Sequence, residues 1–277
     1  MKKARLITIA SATVLLFSGL LSVSDVHKVK ADKVTTYQVA VSNASKPLSY
    51  SQNGKLKGYE VDTLRKIDQE LPNVKFKYHA VSQSAELVGL DSGKYDLAVN
   101  GFYKNPEREK KYLFGKENDG LSLVRIYYNK QQFTKSVTDL KDLEGKELAP
   151  VNANGGMYNL LTAWNKDHGN RIKVKTTNNG IPMQQLLTGV NTGKYDALID
   201  PSNLGESTII KQRQLNNIKE SKPVRAFPTY ILFAKGQQKL ADQVDTALKT
   251  LKDNGQLKKL SQQYFGENVF NYHPKTK

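Results

Sequence analysis

The sequence predicts an α/β protein of two doubly wound lobes joined by two crossover strands, and three observations carry that prediction. One is an internal repeat: Asp91–Asn100 reads DSGKYDLAVN, and Asn191–Asp200, one hundred positions on, reads NTGKYDALID. Each copy follows an apolar helical run, Leu87–Leu90 or Leu186–Val190, so each reads as helix, glycine-containing turn and short buried strand. Similar units this far apart point to two similar lobes rather than a short-period solenoid. Another is the recurring strand–loop–helix order, which implies parallel sheets. The third is a pair of long β-prone runs, Leu121–Asn129 and Pro223–Gly236, placed to cross from one lobe to the other and back.

Taken in order, Thr36–Val41 alternates and is β-branched, so it reads as the first strand. Ser42–Tyr50 is a polar loop at its carboxyl end, and Asn53-Gly54 is a turn. Tyr59–Leu71 sets Val61, Leu64, Ile67 and Leu71 at helical spacing and stops before Pro72. Val74–Val81 is a strand, Ser84–Leu90 a short helix, and Tyr95–Asn100 the repeat strand. Asn105-Pro106-Glu107-Arg108 starts a helix, with proline in its first turn. Beyond the first crossover come a short helix at Asp139–Lys146, a strand at Glu147–Val151, a Gly/Asn loop at 152–156 and an amphipathic helix at Met157–His168 that ends at Gly169. Arg171–Thr176 is a strand, and Gln184–Val190 with Tyr195–Asp200 repeats the helix–strand unit. After the return crossover, helices near Leu240–Leu251 and Gln256–Phe265 close the chain, separated by Asn254-Gly255.

At 277 residues and 38% hydrophobic composition, the chain has the length and apolar content for two ordinary domains. It has no cysteine, which excludes disulfides, cysteine nucleophiles, Cys-based zinc sites and a lipidated cysteine. Residues 1–31 read as a secretory signal peptide: Lys2, Lys3 and Arg5 precede the apolar run Leu6–Leu21, and Val29-Lys30-Ala31 supplies a small-residue cleavage site. An uncleaved anchor is the competing reading of that run. Removing the segment takes away five basic residues and one acid, lowering the net charge from +16 by four. Such a charge favours anionic partners. Export and the scatter of lysines among acids argue against nucleic acid and leave anionic lipid or a polyanionic cell wall, with solubility alone as the plain alternative.

In open α/β sheets ligands bind beyond the carboxyl ends of the strands. Asn100–Arg108 and Asp200–Ser202 are therefore expected to line one cleft, together with Ser42 and Asn43 after the first strand. Arg108 offers a planar fork suited to a carboxylate at a helix start, but on spacing alone a solvated helix arginine among Glu107, Glu109 and Lys110 is the better reading. Asp200 suits an ammonium group or, equally, a cap for a helix after Pro201. Asn154-Gly155-Gly156 lets backbone N–H groups approach an anion at a helix start. Phe102 and Tyr103 are aromatics at the cleft, one of them expected in the core. Asp96 and Asp196 read as strand-entry caps. Catalytic signals are poor: His27, His79, His168 and His273 are dispersed without metal spacing, and there is no phosphate loop, nucleotide fingerprint or nucleophile elbow.

Jointly and in order, several segments resemble the extracellular solute-binding proteins of ABC transporters for polar amino acids, bacterial family 3, over about Thr35–Asn268. They are Gly54–Asp62 (GKLKGYEVD), Ser92–Asp96, Asn105–Phe114, Asp142–Lys146 and Asn254–Ser261. The resemblance implies a periplasmic-binding-protein-like fold of type II, with a two-stranded hinge between a first lobe of residues 34–128 plus 228–277 and a second of 129–227. It implies a monomeric receptor rather than an enzyme, without cofactor, delivering an amino acid to an ABC permease at the cell surface of a Gram-positive bacterium. It implies that Arg108 takes the α-carboxylate with help from the backbone at Asn154, Gly155 and Gly156, that Asp200 takes the α-ammonium, and that Ser42, Asn43, Tyr59, Phe102 and Tyr103 belong to the site.

Departures from the family pattern redraw the pocket. Asn100-Gly101-Phe102-Tyr103 stands where many members carry Ser/Thr-rich residues, Ser45 stands where many have an aromatic, and Asp200 is about one residue off the commonest spacing. Asn105–Phe114 and Tyr158–Gly169 look most like the cystine-binding branch, with glutamine or arginine as the alternatives. Two other classes compete: a basic surface adhesin on the same fold, and an enzyme such as a small-acid dehydratase, which lacks a visible acid/base pair.

Overall fold

The computed structural model describes residues 33–153, 155–178 and 180–275; the signal segment read in residues 1–31 and the site residue Asn154 lie outside them. The first half of the chain runs β1 (Thr35–Ser42), β2 (Ala44–Ser45), β3 (Ser49–Gln52), β4 (Lys55–Lys57), α1 (Tyr59–Glu70), β5 (Val74–Val81), α2 (Gln83–Asp91), β6 (Leu97–Phe102), α3 (Pro106–Lys111) and β7 (Leu113–Phe114). Then come β8 (Gly120–Asn129), β9 (Val151–Asn152), α4 (Gly156–His168), β10 (Thr176–Thr177), α5 (Met183–Asn191), β11 (Ala197–Pro201), α6 (Glu206–Gln212), β12 (Ile218–Glu220), β13 (Arg225–Phe233), α7 (Gln238–Asp253) and α8 (Gln256–Phe265).

The main sheet has the order β11-β8-β13-β6-β1-β5, with β12 on β8 and β7 on β13. Its parallel part is β5-β1-β6, and β9 pairs in parallel with β10. The expected parallel sheets are therefore joined by antiparallel crossovers: β8 and β13 lie side by side, and β13 also pairs antiparallel with β6. The loop expected at Ser42–Tyr50 is largely a three-stranded meander, β2-β3-β4, turned by Asn53 and Gly54 at positive φ. α6 and β12 occupy a stretch to which the sequence reading assigned no element beyond a start after Pro201.

Alternation along the strands sends side chains to both faces of the sheet. Val39, Val41, Leu97 and Val99 pack with α1, α7 and α8, while Ala40 and Ala98 pack with Leu90 and Tyr95 on the other face. Beyond the crossovers, Val124, Ile126, Ala197 and Ile199 pack with α4, and Tyr127 and Leu198 with α5. Along β8, Leu121 and Leu123 join Ala226 and Val269 in a small cluster of their own, so core membership changes between Leu123 and Val124. Arg125 pairs there with Glu220 at 3.1 Å and Glu267 at 2.8 Å. The chain's end returns to the same place, where Lys275 pairs antiparallel with Ala226 of β13. Among the described residues no helix is long and apolar enough to cross a membrane.

The repeat is physical. Tyr95 N–H donates to Gly89 O at 3.2 Å, and Tyr195 N–H to Gly189 O at 3.2 Å. In both copies the helix glycine leaves room for the tyrosine ring. Asp96 accepts from the Gln38 amide at 2.7 Å, Asp196 from the Glu147 amide at 2.9 Å, and each binds the same neighbour through its own N–H. The two aspartates thus clamp strand entries, as their recurrence implies. A Cβ at Gly89 would land inside the ring of buried Tyr95, whereas at Gly189 it would meet the half-buried Tyr195 at 2.7 Å. Gly89→Ala should therefore destabilise by about 1–3 kcal/mol. Gly189→Ala should cost less than about 1 kcal/mol, because its ring can swing outward and alanine favours the helix. Urea unfolding of the two variants checks this ordering.

Candidate functional site

The strand ends carry an open cleft of about 1270 Å3, walled by the Ala44–Lys46 meander, the segment Asn100–Asn105 and Arg108 on one side and by the face of α4 on the other. Arg225 and Phe227, two positions apart on β13, and Lys275 also line it. An adjoining cavity of about 280 Å3 shares Tyr103, Gly155, Gly156 and Pro201 with the cleft and reaches Asp200.

Two buried acids hold the segment after β6. Glu60 Oε1 accepts from the Gly101 amide at 2.6 Å, and Glu86 Oε2 accepts from Asn100 Nδ2 at 3.0 Å. Burial pushes the Glu60 carboxyl well up, reinforced by Asp119, and pushes Glu86 up to about 8. Gly101 has φ 59°, a left-handed conformation that suits glycine, and this bend sets Phe102 and Tyr103 on the cleft wall. The Tyr103 hydroxyl donates to Ser122 Oγ at 2.6 Å, and its ring lies 5.4 Å from that of Phe227.

Arg108 sits where α3 puts it. Asn105 caps that helix by accepting from the Arg108 amide at 2.8 Å, and Pro106 starts its first turn. The guanidinium then turns back into the cleft: Nη1 donates to Tyr103 O at 3.0 Å, and Cζ lies 5.4 Å from the Phe102 ring centre. Burial lowers its pKa, opposed only by the phenols of Tyr112 and Tyr103, with no acid acting on it. It is not the solvated helix arginine that spacing alone favours. Opposite, α4 begins at the cleft with Gly155 as its N-cap, no side-chain cap and no acid in the first turn. Such a terminus offers backbone N–H groups and positive dipole to an anion. A Cβ at Gly156 would come within 3.7 Å of Tyr103 Cε2, so the two walls nearly touch here.

Asp200 is the last residue but one of β11 and caps no helix: Pro201 caps the 3₁₀ turn that follows, and Gly205 precedes α6. Its buried Oδ2 has no hydrogen-bond partner, and burial pushes its pKa up to about 7. Gly155, Gly156, Phe102, Tyr103, Arg108 and Asp200 are thus brought to one region. Other expected site residues are not. Tyr59 is 1% exposed and sends its hydroxyl to Asp119 O, because it opens α1 facing the core; Ser42 is buried and shares a hydrogen bond with Ser45 Oγ at 2.8 Å. Neither they nor Asn43 line the cleft, whose wall is formed by Ala44, Ser45 and Lys46 instead. Sequence reasoning missed Arg225 and Phe227, although alternate residues of a crossover strand share a face, and it missed Glu60, Glu86 and Glu206, whose burial has no local signature. On α4 the Trp164 and His168 rings stack 4.0 Å apart at the cleft.

The sequence profile of the bacterial extracellular solute-binding proteins, family 3, matches residues 37–167 and 165–267. The chain is 32% identical to the L-cystine-binding protein TcyJ of Bacillus subtilis over 222 residues, 78% of each protein. It superposes at TM-score 0.70 on the probable amino-acid ABC transporter extracellular-binding protein YtmK of Bacillus subtilis, with 28% identity over 84% of this chain and 99% of that one. A structure from work on glutathione import through GshT and the cystine importer TcyBC of Streptococcus mutans superposes at TM-score 0.66, with 27% identity over 85% of this chain and 97% of that one.

Glu86 generates a pH prediction. Its folded pKa of about 8 lies above its ordinary value, so between roughly pH 4.5 and 8 the unfolded chain has lost a proton that the fold retains. Stability therefore falls as pH rises through that window, by up to about 1.4 kcal/mol per unit. Glu86→Gln keeps an acceptor for Asn100 and cannot ionise. In urea titrations its stability relative to the parent should improve steadily from pH 5 to pH 8.

Proposed function

We propose that this chain, which belongs to the bacterial extracellular solute-binding proteins of family 3, is the amino-acid-binding component of an ABC importer and closes around the zwitterion of L-cystine. The observation that carries the reading is the guanidinium of Arg108, half-buried at the cleft with no acid acting on it and facing the uncapped start of α4. A carboxylate between them would satisfy both. Asp200, on the neighbouring cavity wall with an unpartnered oxygen, would take the α-ammonium. The choice of cystine rests on the relatives at 32% and 27% identity, one named for L-cystine binding and the other from work on a cystine importer.

The size of the cleft supports a clamp: at about 1270 Å3 it exceeds the roughly 300–1,000 Å3 typical of small-molecule pockets, and in this reading its walls approach to enclose an amino acid. Residues 34–128 with 228–277 form one lobe in this reading and 129–227 the other, hinged on β8 and β13. The cores agree with a division that falls on β8 but set it nearer Leu123, because Val124, Ile126 and Tyr128 pack with α4 and Tyr127 with α5. The receptor acts as a monomer, exported by residues 1–31 to the surface of a Gram-positive cell, where an ABC permease is its partner and its positive charge, rather than a lipidated cysteine, holds it on anionic cell wall.

Isothermal titration of the chain, unfolded and refolded to strip carried-over ligand, against cystine, glutamine, arginine and glutathione tests the reading. Cystine should bind, and Arg108→Ala should weaken it by about 30-fold or more, equivalent to about 2 kcal/mol. Binding of another panel member keeps the clamp and discards cystine. Silence across the panel overturns the receptor reading in favour of a basic adhesin.

A further inference from the structure

Glu206, the first residue of α6, is 0% exposed and lies against Asp200; its carboxyl oxygens and Oδ2 of Asp200 are unpartnered, with only the backbone amides of Leu204 and of Glu206 itself acting on the Glu206 carboxyl. Two ionised carboxylates present each other only with acceptors, which accounts for the unpartnered atoms; a single proton between them turns the contact into a hydrogen bond. Two acids this close in a buried site do not both ionise. Among the described residues, no cation acts on the pair. On β8, Tyr127 has a buried, unpartnered hydroxyl whose ionisation burial and the nearby acids suppress. Arg125 is taken up by Glu220 and Glu267, and Glu220 also accepts from Ser207 of α6 at 3.0 Å. Tyr103 is a neutral phenol, pushed up to about 12, and α5, which packs on α6, carries no charged residue.

We propose that Glu206 is the positioning residue for Asp200: it keeps its own proton, donates a hydrogen bond with it to Asp200, and so holds that carboxylate ready for an ammonium group, whose capture releases only the proton that Asp200 still carries. This rests on the reading of Asp200 as the ammonium partner. The titration behaviour agrees. Burial, and then the charge of Asp200, pushes Glu206 up to about 9, while the hydrogen bond from Glu206 pulls against the burial that raises Asp200 to about 7. Near pH 7 the empty protein then carries roughly half a proton on Asp200 that a bound ammonium expels. Affinity should fall about tenfold for each pH unit below 7 and level off above about 8.

Two measurements on the full chain test this. The first is a carboxyl-carbon NMR titration without ligand, which should find Glu206 still protonated at pH 7.5. Glu206→Gln, which still donates to Asp200, should leave the Asp200 midpoint within half a unit, and Glu206→Leu should raise it by a unit or more. The second is calorimetry with L-cystine in buffers of different ionisation heat. It should show proton release near pH 7, and Glu206→Leu should weaken binding about tenfold at pH 7 but at most about threefold at pH 9. A Glu206 that titrates in the ordinary carboxylate range, or a Glu206→Leu loss equal at both pH values, overturns the proposal. If the NMR result holds but L-cystine binds Asp200→Asn as tightly as the parent, or does not bind the parent, it is the reading of the site that has failed, and the coupling to capture falls with it.

Discussion

Arg108 at the cleft and Asp200 in the cavity beside it each lack a partner of opposite charge, and much of the architecture serves to hold the two in place. On one side a half-buried guanidinium is held by the Tyr103 carbonyl and the neighbouring aromatic rings, with no carboxylate paired to it. On the other a buried carboxyl has an oxygen that no donor reaches. Burying a charge without a full set of partners costs several kcal/mol; Asp200 meets part of that cost by keeping a proton part of the time, and a zwitterion spanning both walls would relieve the rest. Neither wall alone can relieve it, and in the proposed function this is how an amino acid favours the closed arrangement over the open one.

The charges are held from beneath by buried acids. Glu60 and Glu86 grip the amide of Gly101 and the side chain of Asn100, which fixes the bend that presents Phe102 and Tyr103 and gives Arg108 its carbonyl anchor. Glu206 occupies the corresponding place under Asp200. All three lie at or near helix starts, and all are pushed toward their neutral forms by burial. A neutral acid is a compact donor and acceptor that leaves the charge in the cleft uncancelled. Acids ionised in the same places would cancel Arg108 or repel Asp200.

Much of this was legible in the chain. The repeat of ten residues corresponds to two helix–turn–strand units with the same Gly–Tyr packing and the same aspartate clamp, because those contacts are local and need those residue types. Arg108 was singled out through the family pattern, since spacing alone pointed to a solvated residue; its inward turn depends on the Tyr103 carbonyl, which lies outside its own helix. The helix-cap alternative for Asp200 failed because Gly205 lets α6 start later than Pro201 implied. Tyr59 was misplaced into the site because the motif that carries it runs along α1, whose first turn faces the core as well as the cleft strand. Glu206 was invisible: nothing in ESTIIKQ distinguishes a buried acid at a helix start from an exposed one.

The crossovers give the two sides a specific connection. β8 and β13 run side by side through both core groups, Arg125 ties Glu220 to Glu267 across them, and Lys275 adds a strand-like contact at Ala226. The most direct test of the central claim is a crystal structure of the chain grown with L-cystine. The account predicts one α-carboxylate of the ligand on the Arg108 guanidinium and the start of α4, its α-ammonium within hydrogen-bond distance of Asp200, and the two walls drawn together. A ligand bound with its carboxylate away from Arg108, or bound between walls that have not moved, would contradict it.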